Sequence, residues 1–351
     1  MTKRIKTSSS LSAKYDYSVD NVLGAGAYGT VYKAVDRKTK HVVAIKQMKM
    51  DDTDGLPQTA LREISVLNEL RHPNIVRLLD VDTEPESLSP AKYVSLVFEW
   101  MESDLKSYLE TRAKSKHTSK APTPMEQQRM MLQLLSGLEF LHGKSVFHRD
   151  LKPANLLFDS RTKTLKIADF GLSRVISYPL RTLTHEIVTL WYRSPEIMLG
   201  MRKYSLAVDM WSVGCIFAEL QMRGKILWPG ENEFDQLLRI FRVLGTPQAM
   251  PECVEFVLAN YPRWPKPLTS QLPFKDGTPE LDLLQRMFDV NEQTRISAKA
   301  ALKHHYFHPR RSGSRDCPIE ISDEDDQDED EEEEEDDNND DDENDGDEEE
   351  G

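Results

Sequence analysis

His148 to Asn155 reads His-Arg-Asp-Leu-Lys-Pro-Ala-Asn and packs an acid, basic groups and an amide into one short stretch. Asp150 can accept a proton. Asn155 can hold a metal through its carbonyl oxygen, and Lys152 can offer positive charge between the two. Pro153 has no N–H and a fixed φ, so the stretch is expected to be a shaped loop and not an ordinary helix. A second acid, Asp169 of Asp-Phe-Gly, follows fourteen residues after Asn155. A proton acceptor, metal-holding groups and a cation together suit phosphoryl transfer, which is mostly positioning and charge neutralisation. The loop alone also fits a polar surface loop with a coincidental aspartate. The elements around it must decide.

Upstream, Val22-Leu23 leads into Gly24-Ala25-Gly26-Ala27-Tyr28-Gly29 and then Thr30-Val31-Tyr32-Lys33-Ala34-Val35. A lone G-x-G-x-x-G is weak evidence and also fits an ordinary hairpin or a dinucleotide-binding turn. The dinucleotide turn needs a helix after its third glycine, whereas Val31, Tyr32 and Val35 favour a strand. Strand, glycine turn and strand make a flap whose backbone can close over phosphates. Val43-Ala44-Ile45-Lys46 is the next expected strand. Leu61 to Leu70 is expected to be helical, with Leu61, Ile64, Leu67 and Leu70 at core spacing and Glu63 among them. Met125 to His142 is expected to be an amphipathic helix whose methionines and leucines belong to the core. Thr111 to Pro124 is expected to be a polar loop. Leu156-Leu157-Phe158 and Leu165-Lys166-Ile167 form an expected short strand pair that carries Asp169.

The paired His-Arg-Asp and Asp-Phe-Gly patterns, preceded by a glycine flap, a strand lysine and a helix glutamate, match the protein-kinase signature set. Pro57-Gln58-Thr59-Ala60-Leu61-Arg62-Glu63 narrows this further. It resembles the helix on which cyclin-dependent kinases bind their cyclin, with Gln58 and Leu61 where the best-known form has Ser and Ile. The resemblance runs from about Tyr15 to His308. It implies an α+β, bilobal protein kinase fold, with a small antiparallel β lobe carrying one regulatory helix and a large α-helical lobe. The expected boundaries are a disordered N-terminal extension at 1–14, a kinase domain at 15–309 (small lobe 15–100, large lobe 101–309) and a disordered acidic C-terminal tail at 310–351.

The resemblance also implies roles. Asp150 orients the substrate hydroxyl and takes its proton, and Lys152 stabilises the transferring phosphoryl group. Lys46, held by Glu63, positions the α- and β-phosphates of ATP. Asn155 and Asp169 hold Mg2+. The ATP site implied comprises Gly24, Ala25, Gly26, Ala27, Tyr28, Gly29, Val31, Ala44, Lys46, Phe98, Glu99, Met101, Asp104 and Leu157. Phe98 lines the back of the adenine pocket, the backbones of Glu99 and Met101 bond the adenine edge, and Asp104 reaches toward the ribose. Leu67, Leu78, His148 and Phe170 stack as an apolar column.

Thr184 occupies the activating-phosphorylation position of the family, and Arg62, Arg149 and Arg174 match the cluster that receives its phosphate. Such a phosphate can bind several guanidiniums at once. Tyr28 matches an inhibitory tyrosine, while its neighbour Ala27 cannot be phosphorylated. The stretch Ile187 to Arg193, with Val188, Trp191 and Arg193, resembles the family's pocket for a proline after the phosphorylated residue. A pocket that offers no hydrogen-bond acceptor there favours proline, which has no N–H. Glu196 is expected to pair with Arg295. Gly230 to Leu237 resembles a surface for a small phosphate-reading accessory subunit.

The net charge of −15 conceals two regions. Glu320–Gly351 holds 24 Asp and Glu and no Lys or Arg, which leaves 36 acids against 45 bases in residues 1–319, a balance of +9. The tail lacks the apolar content to fold. Within it, Pro318-Ile319-Glu320-Ile321 followed by Ser322 and acids resembles a SUMO-interacting segment, and the acidic run could attract basic proteins. No apolar run approaches membrane-spanning length, the N-terminus lacks the apolar segment of a secretory signal, and no direct nucleic-acid binding is expected. The scattered cysteines Cys215, Cys253 and Cys317 fit free thiols in a reducing compartment, and the expected location is nucleus and cytoplasm. The expected function is an ATP-dependent, proline-directed Ser/Thr kinase, activated by a cyclin subunit and Thr184 phosphorylation, in cell-cycle control. The alternatives are a transcription-linked cyclin-dependent kinase and a pseudokinase scaffold acting through its acidic tail.

Overall fold

Runs rich in β-branched and other strand-forming residues build the first half of the molecule. The strands are β1 (Tyr15–Asp16), β2 (Val22–Gly26), β3 (Gly29–Asp36), β4 (Val42–Lys49), β5 (Leu78–Asp82) and β6 (Tyr93–Glu99). They form one antiparallel sheet in the order β1-β3-β4-β6-β5, with β2 paired to β3. The computed structural model describes residues 10–26, 29–50, 58–83, 93–114, 122–175, 190–201, 205–247, 261–264 and 272–308. Met1–Pro309 is one compact unit and Arg310–Gly351 a second, and all the described residues belong to the first. The acidic tail, with its proposed SUMO and basic-protein contacts, therefore lies outside the described residues.

Alternation along β4 and β6 sends side chains to two different cores. Val43, Ile45 and Val97 join Ala34 and Tyr15 in a small cluster on one face of the sheet. Met48, Val94, Leu96 and Phe98 join the main core on the other face. Helix α1 (Ser10–Lys14) covers the first face with Leu11, which is buried. The backbone N–H of Arg37 bonds the carbonyl of Lys14 at 2.9 Å, and Lys14 pairs with Asp80 at 2.8 Å. The folded part of the domain thus starts before Tyr15. Residues 10–14 are not a disordered extension, because they close an apolar sheet face that would otherwise meet water.

Helix α2 (Gln58–Glu69) packs its Ala60, Glu63, Val66 and Leu67 inward, with Leu70 buried just after it. Leu61 does not belong to that face, contrary to its expected core spacing. It is 47% exposed, while Ala60 and Glu63 take the inward positions. The helix starts three residues earlier than expected, and its inner face is centred one position away from Leu61.

After β7 (Ser103–Asp104) come helix α3 (Leu105–Lys114) and helix α4 (Pro124–Gly143). Thr111–Lys114 is therefore helical and not loop, since Leu105 and Leu109 anchor the helix in the core. Helix α4 begins with a capping box, in which Thr123 and Glu126 satisfy each other's backbone N–H, and with Pro124 in its first turn. Its Met130, Met131, Leu134, Leu135, Leu138 and Leu141 are buried. Strands β8 (Val146–Phe147), β9 (Leu156–Asp159), β10 (Thr164–Ile167) and β11 (Arg174–Val175) follow, in the pairs β8–β11 and β9–β10, with β7 also on β9. Helices α5 (Pro195–Met198), α6 (Ala207–Gln221) and α7 (Glu233–Leu244), then Pro279–Met287 and Ala298–Leu302, complete the large lobe. Almost every residue of α6 is buried. No helix among the described residues is long and apolar enough to cross a membrane.

The two lobes are stitched by Asn74. Its side-chain Nδ2 donates to the Leu165 carbonyl at 2.9 Å, and its own carbonyl accepts from Ile167 N–H at 2.8 Å. Strand β10, which delivers Asp169, is thereby fixed to the segment that leaves α2. The architecture is the expected bilobal one, a small antiparallel β lobe with one helix and a large helical lobe.

Candidate active site

Strand β4 holds Lys46 between Val31 of β3 and Leu96 of β6. Its Nζ lies 2.8 Å from Glu63 Oε2 and 3.1 Å from Asp169 Oδ1. These three residues come from the sheet, from α2 and from the turn after β10, so the ammonium ties both lobes together. Burial works to neutralise Lys46, but Glu63 and Asp169 outweigh it and hold the pKa above the usual lysine value. Burial raises the pKa of Glu63, with Lys46 opposing. Burial also works to raise Asp169, but there Lys46 prevails and the carboxyl sits below its usual range. The two acids that share the ammonium are thus shifted in opposite directions.

The His148–Asn155 loop is locked from below. The Asp209 carboxylate, buried in the first turn of α6, accepts from the backbone N–H of His148 at 3.0 Å and of Arg149 at 2.8 Å, and lies 3.0 Å from His142 Nε2. Burial opposes its charge, yet His142 and His148 with these bonds hold its pKa below normal. Arg149 has φ 71°, a left-handed conformation that costs a non-glycine residue on the order of 1 kcal/mol or more. The bond from its N–H to Asp209 helps to hold it there. His148 is wholly buried. Its Nδ1 accepts from Asp150 N–H at 3.3 Å, which leaves Nε2 to donate to the Ala168 carbonyl at 3.0 Å. One imidazole thus links the residue before Asp169 to Asp150.

Pro153–Asn155 forms a single 3₁₀ turn, the shaped loop that proline demanded. Lys152 Nζ donates to Asp150 Oδ2 at 2.7 Å, and Asn155 Nδ2 donates to the same oxygen at 2.9 Å and to the Asp150 carbonyl at 2.8 Å. With its NH2 group so occupied, Asn155 turns its carbonyl oxygen away from Asp150. Asp169 itself has φ 64° and is followed by a 3₁₀ turn, Phe170–Leu172. Leu67, Leu78, His148 and Phe170 are all buried, and the His148 and Phe170 rings meet edge-on at 5.1 Å.

The glycine segment contributes backbone. Gly24, Ala25 and Gly26 lie on β2, and Gly29 opens β3 with φ 120°. A Cβ on Gly29 would stand 2.1 Å from the Gln47 carbonyl oxygen, so no other residue fits there, while a Cβ on Gly24 would meet nothing within 4 Å. Ala27 and Tyr28 lie outside the described residues. Ala44 sits opposite Phe98 across β4 and β6, and Leu157 opposite Asp104 across β9 and β7. Met101 follows β6 in the short link to β7.

Two residues of the expected nucleotide site carry hydrogen bonds of their own. Glu99 N–H is already bonded to the Arg77 carbonyl at 3.1 Å, which confines its backbone contribution to the carbonyl oxygen. Asp104 caps helix α3 instead of projecting freely, with its carboxylate accepting from Ser107 N–H at 2.9 Å and Ser107 Oγ at 2.6 Å.

Arg62 is half-buried on α2, and Arg149 Nη1 donates to the Leu172 carbonyl at 3.4 Å. The backbone of Arg174 pairs with Phe147, immediately before the catalytic-type loop. Thr184 and Val188 lie outside the described residues. Trp191 and Arg193 lie in and beside a 3₁₀ turn at Leu190–Tyr192, and Arg193 Nη1 meets Glu233 Oε1 at 2.7 Å. Glu196 and Arg295 form a fully buried two-pronged pair at 2.7 and 2.9 Å. His304, His305 and Asp282 lie together but have no spare ligand lone pair on His304. Its Nδ1 accepts from Tyr306 N–H at 3.2 Å, so the proton is on Nε2, which donates to Asp282 at 2.7 Å.

Sequence reasoning missed Asp209. An acid in the first turn of a largely apolar helix was the available signal, since a buried carboxylate needs donors.

A family model described as "Protein kinase domain" matches residues 17–307. The chain is 48% identical over 313 residues to "Cell division control protein 2 homolog 3" of Trypanosoma brucei brucei, covering 86% of this chain and 94% of that protein. It is 46% identical over 291 residues to "Cell division control protein 2 homolog D" of Antirrhinum majus, covering 81% of this chain and 91% of that protein.

Proposed function

This chain belongs to the protein kinase family and to its cyclin-dependent branch of Ser/Thr kinases, and from that premise we propose that it is a cyclin-activated, proline-directed kinase acting in cell-cycle control. The observation that carries the catalytic part is the closed Lys46–Glu63 and Lys46–Asp169 pair of ion contacts. The donor set suits a nucleotide with its metal. Asp169 is anionic, Asn155 directs a carbonyl oxygen away from Asp150, and both are the oxygen ligands that Mg2+ takes. Gly24 leaves backbone open to close approach, and Lys46 stays charged. Asp169 and Asn155 would hold Mg2+, which when bound neutralises phosphate charge.

Asp150 orients the hydroxyl of the substrate Ser or Thr and accepts its proton as that oxygen attacks the γ-phosphorus of ATP, while the bond from that phosphorus to the β,γ-bridging oxygen breaks and ADP leaves. Lys152, whose Nζ donates to Asp150 Oδ2, places positive charge beside the transferring group. Asn155 holds Asp150 in register through two bonds to one residue. Lys46 positions the phosphates, and Glu63 keeps Lys46 aligned only while α2 is seated.

Cyclin dependence is supported by that geometry. Glu63 is buried on the inward face of α2, while Leu61 stands exposed on the same helix where a partner could grip it. Phosphorylated Thr184 would draw Arg62, Arg149 and Arg174 together. The names of the relatives favour cell division over transcription. The test is to isolate the full chain with its co-purifying subunit and assay phosphate transfer to Ser-Pro and Thr-Pro peptides, beside Asp150→Asn and Arg62→Ala. The expected result is loss of transfer in Asp150→Asn and loss of phospho-dependent activation in Arg62→Ala. Full-rate catalysis by the isolated, unphosphorylated chain would refute cyclin dependence.

A further inference from the structure

The turn that carries Trp191 and Arg193 is bonded to helix α6 through Tyr192 and to the start of helix α7 through Trp191 and Arg193. The indole Nε1–H of Trp191 donates to the Gly230 carbonyl at 3.0 Å. The Gly230 N–H donates to Gln236 Oε1 at 2.8 Å. Gln236 Nε2 donates back to the Trp191 carbonyl at 3.4 Å. These three bonds close a ring through Trp191, Gly230 and Gln236. One turn earlier on the same helix, Glu233 accepts from Arg193 Nη1 at 2.7 Å.

The ring is built and not incidental. Gln236 is completely buried, a rare position for an amide, and both ends of its side chain are used. Gly230 has no room for a side chain, since a Cβ there would stand 2.3 Å from Gln236 Oε1 and 2.7 Å from its Cα. Trp228, two residues before, is buried, stacks on Trp211 at 5.7 Å and meets Phe288 at a tilt at 4.8 Å. That stacking fixes the Gly230 carbonyl to the core of the lobe. Asn232 caps α7 by accepting from Asp235 N–H at 3.0 Å, which sets where Glu233 and Gln236 point.

We propose that Gln236 is the positioning residue for substrate selection after the phosphorylated Ser or Thr, holding the Trp191 floor through Gly230, with Glu233 holding Arg193 as its second arm. The inference rests on the proline-directed reading given above. Discrimination for proline depends on a floor that cannot turn to offer a carbonyl to a substrate N–H. Gln236 restrains that turn at the Trp191 carbonyl, and Glu233 restrains it at the neighbouring cation. The face formed by Gly230 to Leu237 therefore lies directly behind the pocket, and anything bound there would act on peptide choice before it acted on chemistry.

The experiment compares kcat/KM for matched Ser-Pro and Ser-Ala peptides, using the full chain with its co-purifying subunit. Gln236→Glu keeps an acceptor for Gly230 N–H but replaces the donor to the Trp191 carbonyl with a charged oxygen. The Pro/Ala ratio is expected to fall roughly 5- to 10-fold, about what one directional hydrogen bond can carry, while the Ser-Ala value changes less than twofold. Glu233→Gln, at a half-exposed position, is expected to lower the same ratio more mildly and guards against a Gln236 variant that does not fold. If wild type prefers proline and the folded variants keep the wild-type ratio, or lose both substrates equally, the positioning role is wrong. If wild type itself shows no preference for proline, the proline-directed reading fails first and this inference falls with it.

Discussion

Replacing Asp209 by Asn changes one oxygen to NH2 beneath the catalytic loop and should be expensive. The carboxylate accepts from His148 N–H at 3.0 Å, Arg149 N–H at 2.8 Å and His142 Nε2 at 3.0 Å, from both of its oxygens. An amide keeps only one acceptor, so its NH2 must face either Arg149 N–H or the His148 and His142 side. One charge-assisted bond is lost, about 1.5–3 kcal/mol, and a buried backbone N–H is left without a partner, about 1–3 kcal/mol more. The expected loss is about 3 kcal/mol, a shift of roughly 1 M or more in a urea midpoint. Arg149 at φ 71° loses a restraint, so the loop relaxes and Asp150 moves. A displacement near 1 Å is enough to cost roughly 100-fold in kcat. The assays are urea unfolding followed by tryptophan fluorescence, and peptide phosphorylation at saturating ATP. The folded pKa of Asp209 is depressed, so its ionisation contributes stability that is present above the ordinary carboxylate range and is lost as pH falls through the folded value. That acid limb should flatten in Asp209→Asn. A midpoint within about 0.2 M of wild type, with kcat within twofold, would refute the brace.

Three further outcomes follow from other parts of the fold. Glu219 is buried with the Tyr192 hydroxyl 2.5 Å from its carboxylate, and burial pushes its pKa up to about 7. Since the folded state binds the proton more tightly than the unfolded chain, stability falls as pH rises from about 4.5 to about 7. Glu219→Gln should remove that slope and be the more stable protein at pH 8, by up to about 3 kcal/mol, and parallel melting curves at pH 5 and pH 8 that do not differ between the two would contradict this. Glu63→Gln should leave Lys46 on Asp169 alone, lower the Lys46 pKa and reduce kcat roughly 100-fold, and steady-state kinetics showing wild-type kcat would sink the alignment role. Leu11→Ala should cost about 2 kcal/mol, because it uncovers the Ala34, Val43, Ile45 and Val97 cluster. An unchanged unfolding midpoint would show that α1 is not part of the small-lobe core.

The sequence alone determined the chemistry and its order along the chain. Asp150, Lys152, Asn155 and Asp169 are polar groups too closely grouped, and too specific in type, to be read from anything but their identities. The glycine flap and strands β3 and β4 were legible because β-propensity and glycine placement are local properties. What lay beyond reach was every choice made by contacts between distant segments. Leu61 and Ala60 both suit a buried helical face, and only the packing of α2 decides that Ala60 goes in and Leu61 out. Leu11 looks like one apolar residue in a polar leader, and only the bare outer face of the sheet gives it a place. The motif that suggests a ribose contact for Asp104 says nothing of Ser107, whose two donors hold the carboxylate as a helix cap. Asp209 and Gln236 are the furthest cases, separated in sequence from the backbone groups they hold and silent as motifs. A buried polar side chain takes its function from the partners that folding brings to it, so the candidate catalytic residues are legible in the sequence, while the residues that hold them in place are decided by tertiary structure.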